Sequence, residues 1–266
     1  MFRSLMNSVD EEDEDNSMSQ LSSLHAAVKA GDVARVEALV VAGANIEERQ
    51  GNVNNAPTPL YRAAERGRVA VAQYLIEHGA NIEATSFYNA VTPLHIAAQE
   101  GFIDVVRVLI EHGASKDAAT SISWTALIYA AVHGRVAIVE YLLEQGCERD
   151  CVSSNRRTAL HMAALRNHLE IVQLLLRFGA KLDVRDEDGR TPADLATHCG
   201  HHDIADAIRA EELRRRDHGF KRDRSTIEGT EEHVAAKRPR VEEVAVEEES
   251  EGDDDDDDDE DDEGDT

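Results

Sequence analysis

His25, His95 and His161 each stand three residues after a Ser or Thr. An imidazole beside a hydroxyl is a candidate general base or metal ligand. Cys147 and Cys151 lie four apart, and Cys199, His201, His202 and Asp203 crowd one short stretch. Neither group has the paired-ligand spacing of a zinc module. The chain shows no phosphate-cradling glycine loop, no dinucleotide turn after a strand and no nucleophile elbow. The expectation is a chain with no enzymatic activity, no cofactor and no metal, whose histidines and cysteines are structural. The first residues turn acidic by Asp10, and no run approaches the ~18 apolar residues of a membrane span. With three cysteines, an odd number, this points to a soluble protein with free thiols in a reducing compartment and no membrane partner.

The elements that carry these residues repeat. "TPLHIAAQEGFIDVVRVLIEHGA" starts at Thr92, and copies start at Ser22, Thr58, Thr125 and Thr158, with a fading copy at Thr191. The steps between starts are 36, 34, 33, 33 and 33 residues. In each copy a Ser or Thr is placed to cap a helix, with Pro at its first position in three of them. Gly31, Gly67, Gly101, Gly134 and Gly200 are placed to stop that helix in the left-handed region; Asn167 takes this place in the fifth copy. A second helix follows, with Val105, Val106, Leu109 and Ile110 on one face of the third copy, and Gly43, Gly79, Gly113, Gly146 and Gly179 close the second helices. Two such short helices cannot bury their apolar faces alone, so the units must stack. The alanine pairs (Ala63–Ala64, Ala97–Ala98, Ala130–Ala131, Ala163–Ala164) permit close approach.

The Thr-Pro-Leu-His start, the Ala-Ala pair, the central Gly, the apolar second helix and the terminal Gly-Ala together resemble the ankyrin-repeat family over residues 21–208. The resemblance implies an all-α solenoid of five full repeats and a C-terminal capping repeat, with loops projecting from one edge. It also implies that the fourth-position imidazole bonds to the cap Thr and the loop backbone; Tyr61 and Ile128 at that position speak against a shared chemistry. Only "DEDGRTPADLA" from Asp186 keeps the family's Asp-x-x-Gly-x-Thr-Pro loop, and the first loop, "NIEERQGNVNNAP", is longer than the others. In the sixth copy Asp194 replaces His, and its second helix is charged on one side, as a cap should be.

Ankyrin-type solenoids bind proteins through loop tips and the exposed ends of the first helices. Carried over by register, the tip positions include Phe87, Tyr88, Asn89, Ile122, Trp124, Asn155, Arg156 and Arg157, and the helix-end positions include Arg66, Gln99, His133 and Arg166. Aromatic residues are only 4% of the chain, so Phe87, Tyr88 and the single Trp124 in neighbouring loops stand out as anchors for a protein ligand. The alternative for Trp124 is a ring folded back over its neighbour.

The ends differ in character. Of the net charge of −26, residues 1–20 carry −5 and residues 241–266 carry −18, leaving −3 between them. The expected organisation is an acidic disordered segment (1–20), the repeats (21–208), a charged helix end with a basic linker (209–240) and an acidic disordered tail (241–266). Lys237, Arg238, Pro239 and Arg240 resemble a nuclear import signal read by an import receptor, extended by the basic run at 221–224. The tail's sign excludes direct nucleic-acid binding and suits basic proteins such as histones. The expected function is a monomeric nuclear adaptor or regulator with a protein partner. A histone-binding chaperone docked through its repeats and a cytoplasmic adaptor are the alternatives.

Overall fold

The computed structural model describes residues 24–49, 56–86 and 89–217. Among these, twelve helices alternate in two layers. The inner layer holds α1 (24–30), α3 (Pro59–Glu65), α5 (Pro93–Glu100), α7 (Ala126–Val132), α9 (Ala159–Leu165) and α11 (Pro192–His198). The outer layer holds α2 (Val33–Val41), α4 (Val69–Glu77), α6 (Ile103–Glu111), α8 (Val136–Glu144), α10 (Leu169–Arg177) and α12 (202–217). From α3 to α11 each inner helix packs on the next, and outer helices from α2 to α10 do the same one layer behind. This is the all-α solenoid of stacked two-helix repeats that the resemblance implies.

The punctuation is local. Thr58, Thr125, Thr158 and Thr191 accept the backbone N–H three residues on. Glycines at the predicted stops have positive φ, and Asn167 takes φ 61° in their place. The outer helices end in six-to-one bonds, such as Ala80 N–H to the Leu75 carbonyl at 2.9 Å and Ala114 N–H to Leu109 at 2.9 Å. The alanine pairs are fully buried between inner helices, beside Leu60, Leu94, Leu127 and Leu160.

What joins one repeat to the next was not legible as a motif. The first residue before each outer helix from α4 on offers no side-chain cap; its side chain lies back on the preceding repeat instead. Arg68 donates to the Lys29 carbonyl at 2.8 Å, Arg135 to Gln99 at 2.9 Å, His168 to Val132 at 3.2 Å and His201 to Leu165 at 3.3 Å. Phe102 covers Gly67, where a Cβ would come within 2.5 Å of the ring.

The last helix runs past the repeat length. One period after Gly179 stands Glu212, so α12 has no glycine at the repeat's usual stop. Ion pairs at helical spacing, Glu211 with Arg214 and Arg215 and Glu212 with Arg216, support its extension to 217. These bonds to Arg214 hold the Glu211 carboxyl down at about 2. Arg215 also donates to the Ala180 carbonyl at 2.7 Å and Leu176 at 3.0 Å, closing the end of α10. Residues 209–217 of the charged stretch thus belong to the folded unit.

Candidate protein-binding surface

The loop tips are built from a residue that opens each hairpin. Ser86, Thr120, Ser153 and Asp186 are all buried, and each exchanges bonds across its turn. Thr120 Oγ1 accepts the Trp124 N–H at 3.1 Å, Ser153 Oγ the Arg157 N–H at 3.1 Å and Asp186 Oδ1 the Arg190 N–H at 3.0 Å. Ser86 pairs with Val91 as an isolated antiparallel bridge. Sequence reasoning saw the Asp only in the last loop. The signal was present in register at Thr120 and Ser153, whose hydroxyls accept the corresponding N–H, whereas the Ser86 hydroxyl has no partner among the described residues.

Each turn then places one residue in the left-handed region: Ala90 at φ 53°, Ser123 at 57°, Arg156 at 58° and Gly189 at 78°. One residue earlier, a carbonyl receives the next loop. Ser121 N–H bonds the Asn89 carbonyl at 2.9 Å, Ser154 N–H the Ile122 carbonyl at 3.1 Å and Glu187 N–H the Asn155 carbonyl at 3.2 Å. A second ladder runs at the loop bases, where Glu47, Glu83, Asp117 and Asp150 accept the N–H of Asn81, Ser115, Glu148 and Lys181 at 2.6 to 2.9 Å. The carbonyls of Asn89, Ile122 and Asn155 are thus bonded within the array, and their side chains are exposed.

The predicted binding residues divide accordingly. Asn89, Asn155 and Arg156 are exposed at the tips, and Ile122 is 37% exposed. Trp124 is half-buried and packed against the core, its ring edge-on to Tyr129 with centroids 5.1 Å apart. Arg157 is drawn inward: it donates to the fully buried Asp186 carboxylate at 3.1 Å, which also takes Arg190. Burial opposes ionisation of Asp186, but the Arg190 N–H and the two guanidiniums outweigh it and hold the carboxyl below its usual range. Arg66, His133 and Arg166 are exposed at the ends of α3, α7 and α9, while Gln99 is half-buried, bonded to Glu100 at 2.9 Å. Phe87, Tyr88 and the motif Lys237, Arg238, Pro239 and Arg240 lie outside the described residues, as do the acidic segments 1–20 and 241–266.

Two of the three fourth-position histidines, His95 and His161, are tied up. His95 Nδ1 accepts the Thr92 N–H at 3.2 Å and lies 2.8 Å from its hydroxyl, and Nε2 donates to the Ala118 carbonyl at 2.9 Å. His161 repeats this with Thr158 and Arg190. Both ring nitrogens are thus engaged, and burial lowers both pKa values, which keeps the rings neutral. Burial pushes the Cys147 thiol up to about 12, the opposite of a reactive cysteine.

A family model described as ankyrin repeats (3 copies) matches residues 1–86 and 84–153, and one described as ankyrin repeats (many copies) matches residues 142–196. No curated protein matches the chain.

Proposed function

The chain belongs to the ankyrin-repeat family, whose repeats are protein–protein interaction modules, and from that premise we propose that it is a non-enzymatic nuclear adaptor or regulator. Its partner is a protein, held by the loop tips and the exposed ends of the inner helices. The observation that carries this reading is the tip ladder: Asn89, Ile122 and Asn155 give their carbonyls to the architecture and present their side chains outward in register. A rigid row of unlike side chains is a reader of another surface, because little conformational entropy is lost when it binds. The engaged histidines and the raised Cys147 support a non-catalytic role.

The nuclear assignment rests on the Lys237 to Arg240 motif. A second reading, favoured by the 18 acids and no base in residues 241–266, makes that run the functional end, capturing histones while the repeats dock the protein to a complex. One experiment separates the two. Affinity capture from nuclear extract is compared for the full chain, the chain lacking 241–266, and an Ile122→Ala, Arg156→Ala variant checked by circular dichroism. The adaptor reading expects a protein retained by the first two and lost by the third. Histones retained by the full chain and the tip variant, but lost on tail removal, would overturn it in favour of the second.

A further inference from the structure

Among the described loop tips and inner-helix ends, Arg66 pairs with Glu65, whereas the exposed Arg156 and Arg166 at either end of α9 have no acid partner. Arg157 and Arg190 pair with Asp186, Arg177 with Glu140, and Arg209 with Asp206. Arg156 and Arg166 form no ion pair among the described residues. Glu187, which the tip ladder brings beside Asn155, leaves Arg156 unpaired as well. Arg156 also occupies a left-handed backbone, φ 58°, at the position where the next loop has Gly189. Ala90 and Ser123 hold the same left-handed position in the two preceding loops, so the conformation belongs to the turn; it sets Arg156 at the tip, with its N–H bonded to the Ser153 carbonyl at 2.8 Å.

Beside this pair lies an apolar spot. Ile122 is 37% exposed at the tip of the preceding loop, and its carbonyl is bonded to Ser154, two residues before Arg156. Behind it Trp124 is half-buried, stacked edge-on to Tyr129. One exposed aliphatic side chain and a partly open indole thus lie on the loop beside that of Arg156, and the second unpaired guanidinium, Arg166, stands at the other end of α9, about 10 Å of helix away.

We propose that the tips and inner-helix ends of repeats 4 and 5 take an acidic peptide segment with a single apolar anchor, seated at Ile122 and Trp124 with its carboxylates on Arg156 and Arg166. This rests on the reading above that the tips are the binding surface, and adds the chemistry of what binds. It assigns basic ligands elsewhere: a lysine-rich segment would set its cations against Arg156 and Arg166.

Trp124 is the only Trp in the chain, so its emission reports occupancy of this surface alone. The full-length protein is titrated at low salt, to millimolar concentration, with two acetylated and amidated peptides: Glu-Glu-Leu-Glu-Glu, and its charge-reversed form with Lys for each Glu. The expected result is a saturable change in Trp124 emission with the acidic peptide only. Arg156→Ala and Arg166→Ala should each weaken it by about fivefold, the size of a surface ion pair, and Arg156→Glu with Arg166→Glu should transfer binding to the lysine peptide. Equal or tighter binding of the lysine peptide by the native chain overturns the proposal. If that binding still depends on Ile122, the tips remain the binding surface and only the charge assignment falls. A native chain whose Trp124 responds to neither peptide overturns the proposal too, and leaves the wider reading to the capture experiment.

Discussion

At the residue scale, chemistry-bearing side chains are distinguished by what they already hold. Asp186 accepts from the backbone of Asp188 and Arg190 and from the guanidiniums of Arg157 and Arg190, and its side chain is 0% exposed. Asp186→Asn keeps the shape but leaves two arginines facing a neutral amide. The expected loss is about 3 kcal/mol, as for breaking a buried pair, measured by denaturant unfolding at neutral pH. The sign of its pH dependence follows from the direction of the shift. The folded carboxyl sits below its unfolded value, so its contribution is complete above about pH 4 and is lost as pH falls through the folded value. Native and Asp186→Asn chains should therefore converge in stability in acid. A gap that stays constant with pH would show that the carboxylate charge is not what Asp186 supplies. Arg157 shows the limit of sequence reading at this scale: next to Arg156 in the chain, it is chemically identical, and only the fold reveals that one is bound and the other free to bind.

At the element scale, glycine between the two helices of a repeat has two tasks. Gly134 adopts φ +70°, and a Cβ there would lie 2.8 Å from the His168 ring, which itself bonds the Val132 carbonyl. Gly134→Ala therefore strains the turn and displaces the tie between repeats 4 and 5. We expect a loss of about 2 kcal/mol, read from thermal or chemical unfolding; a change within about 0.5 kcal/mol would show that the tie is dispensable. The left-handed turn was legible in the sequence because Gly recurs at a fixed place and Asn167 substitutes in the way Asn does. The tie was not, because Arg68, Phe102, Arg135, His168 and His201 share no chemistry beyond length enough to reach the neighbouring repeat. The same holds for the hairpin openers, where Ser86, Thr120, Ser153 and Asp186 are unlike in type and alike in burial.

At the scale of the whole molecule, the chain combines a folded array with charged ends. Because each inner helix from α3 to α11 and each outer helix from α2 to α10 packs on that of the next repeat, loss at one interface should be felt locally. If Lys237 to Arg240 is read by an import receptor, Lys237→Ala with Arg238→Ala moves a fluorescent fusion from nucleus to cytoplasm while its unfolding curve stays unchanged; nuclear accumulation that persists would favour the cytoplasmic-independent route of a partner and sink the motif assignment.

The amino-acid sequence by itself determined the repeat length, the caps, the stops, the buried alanine pairs and hence the family, because each is a local demand on the backbone repeated in register. It also singled out the tips as the place to look. Which tip residues are available was decided only in the tertiary structure. Trp124 turned toward Tyr129, Arg157 was drawn to a carboxylate 29 residues ahead, and Arg156, Ile122 and Asn155 were left facing outward. The reason is physical: a cap needs only its own turn, whereas the exposure of a loop side chain depends on the loop stacked beside it, which adjacency in sequence does not encode.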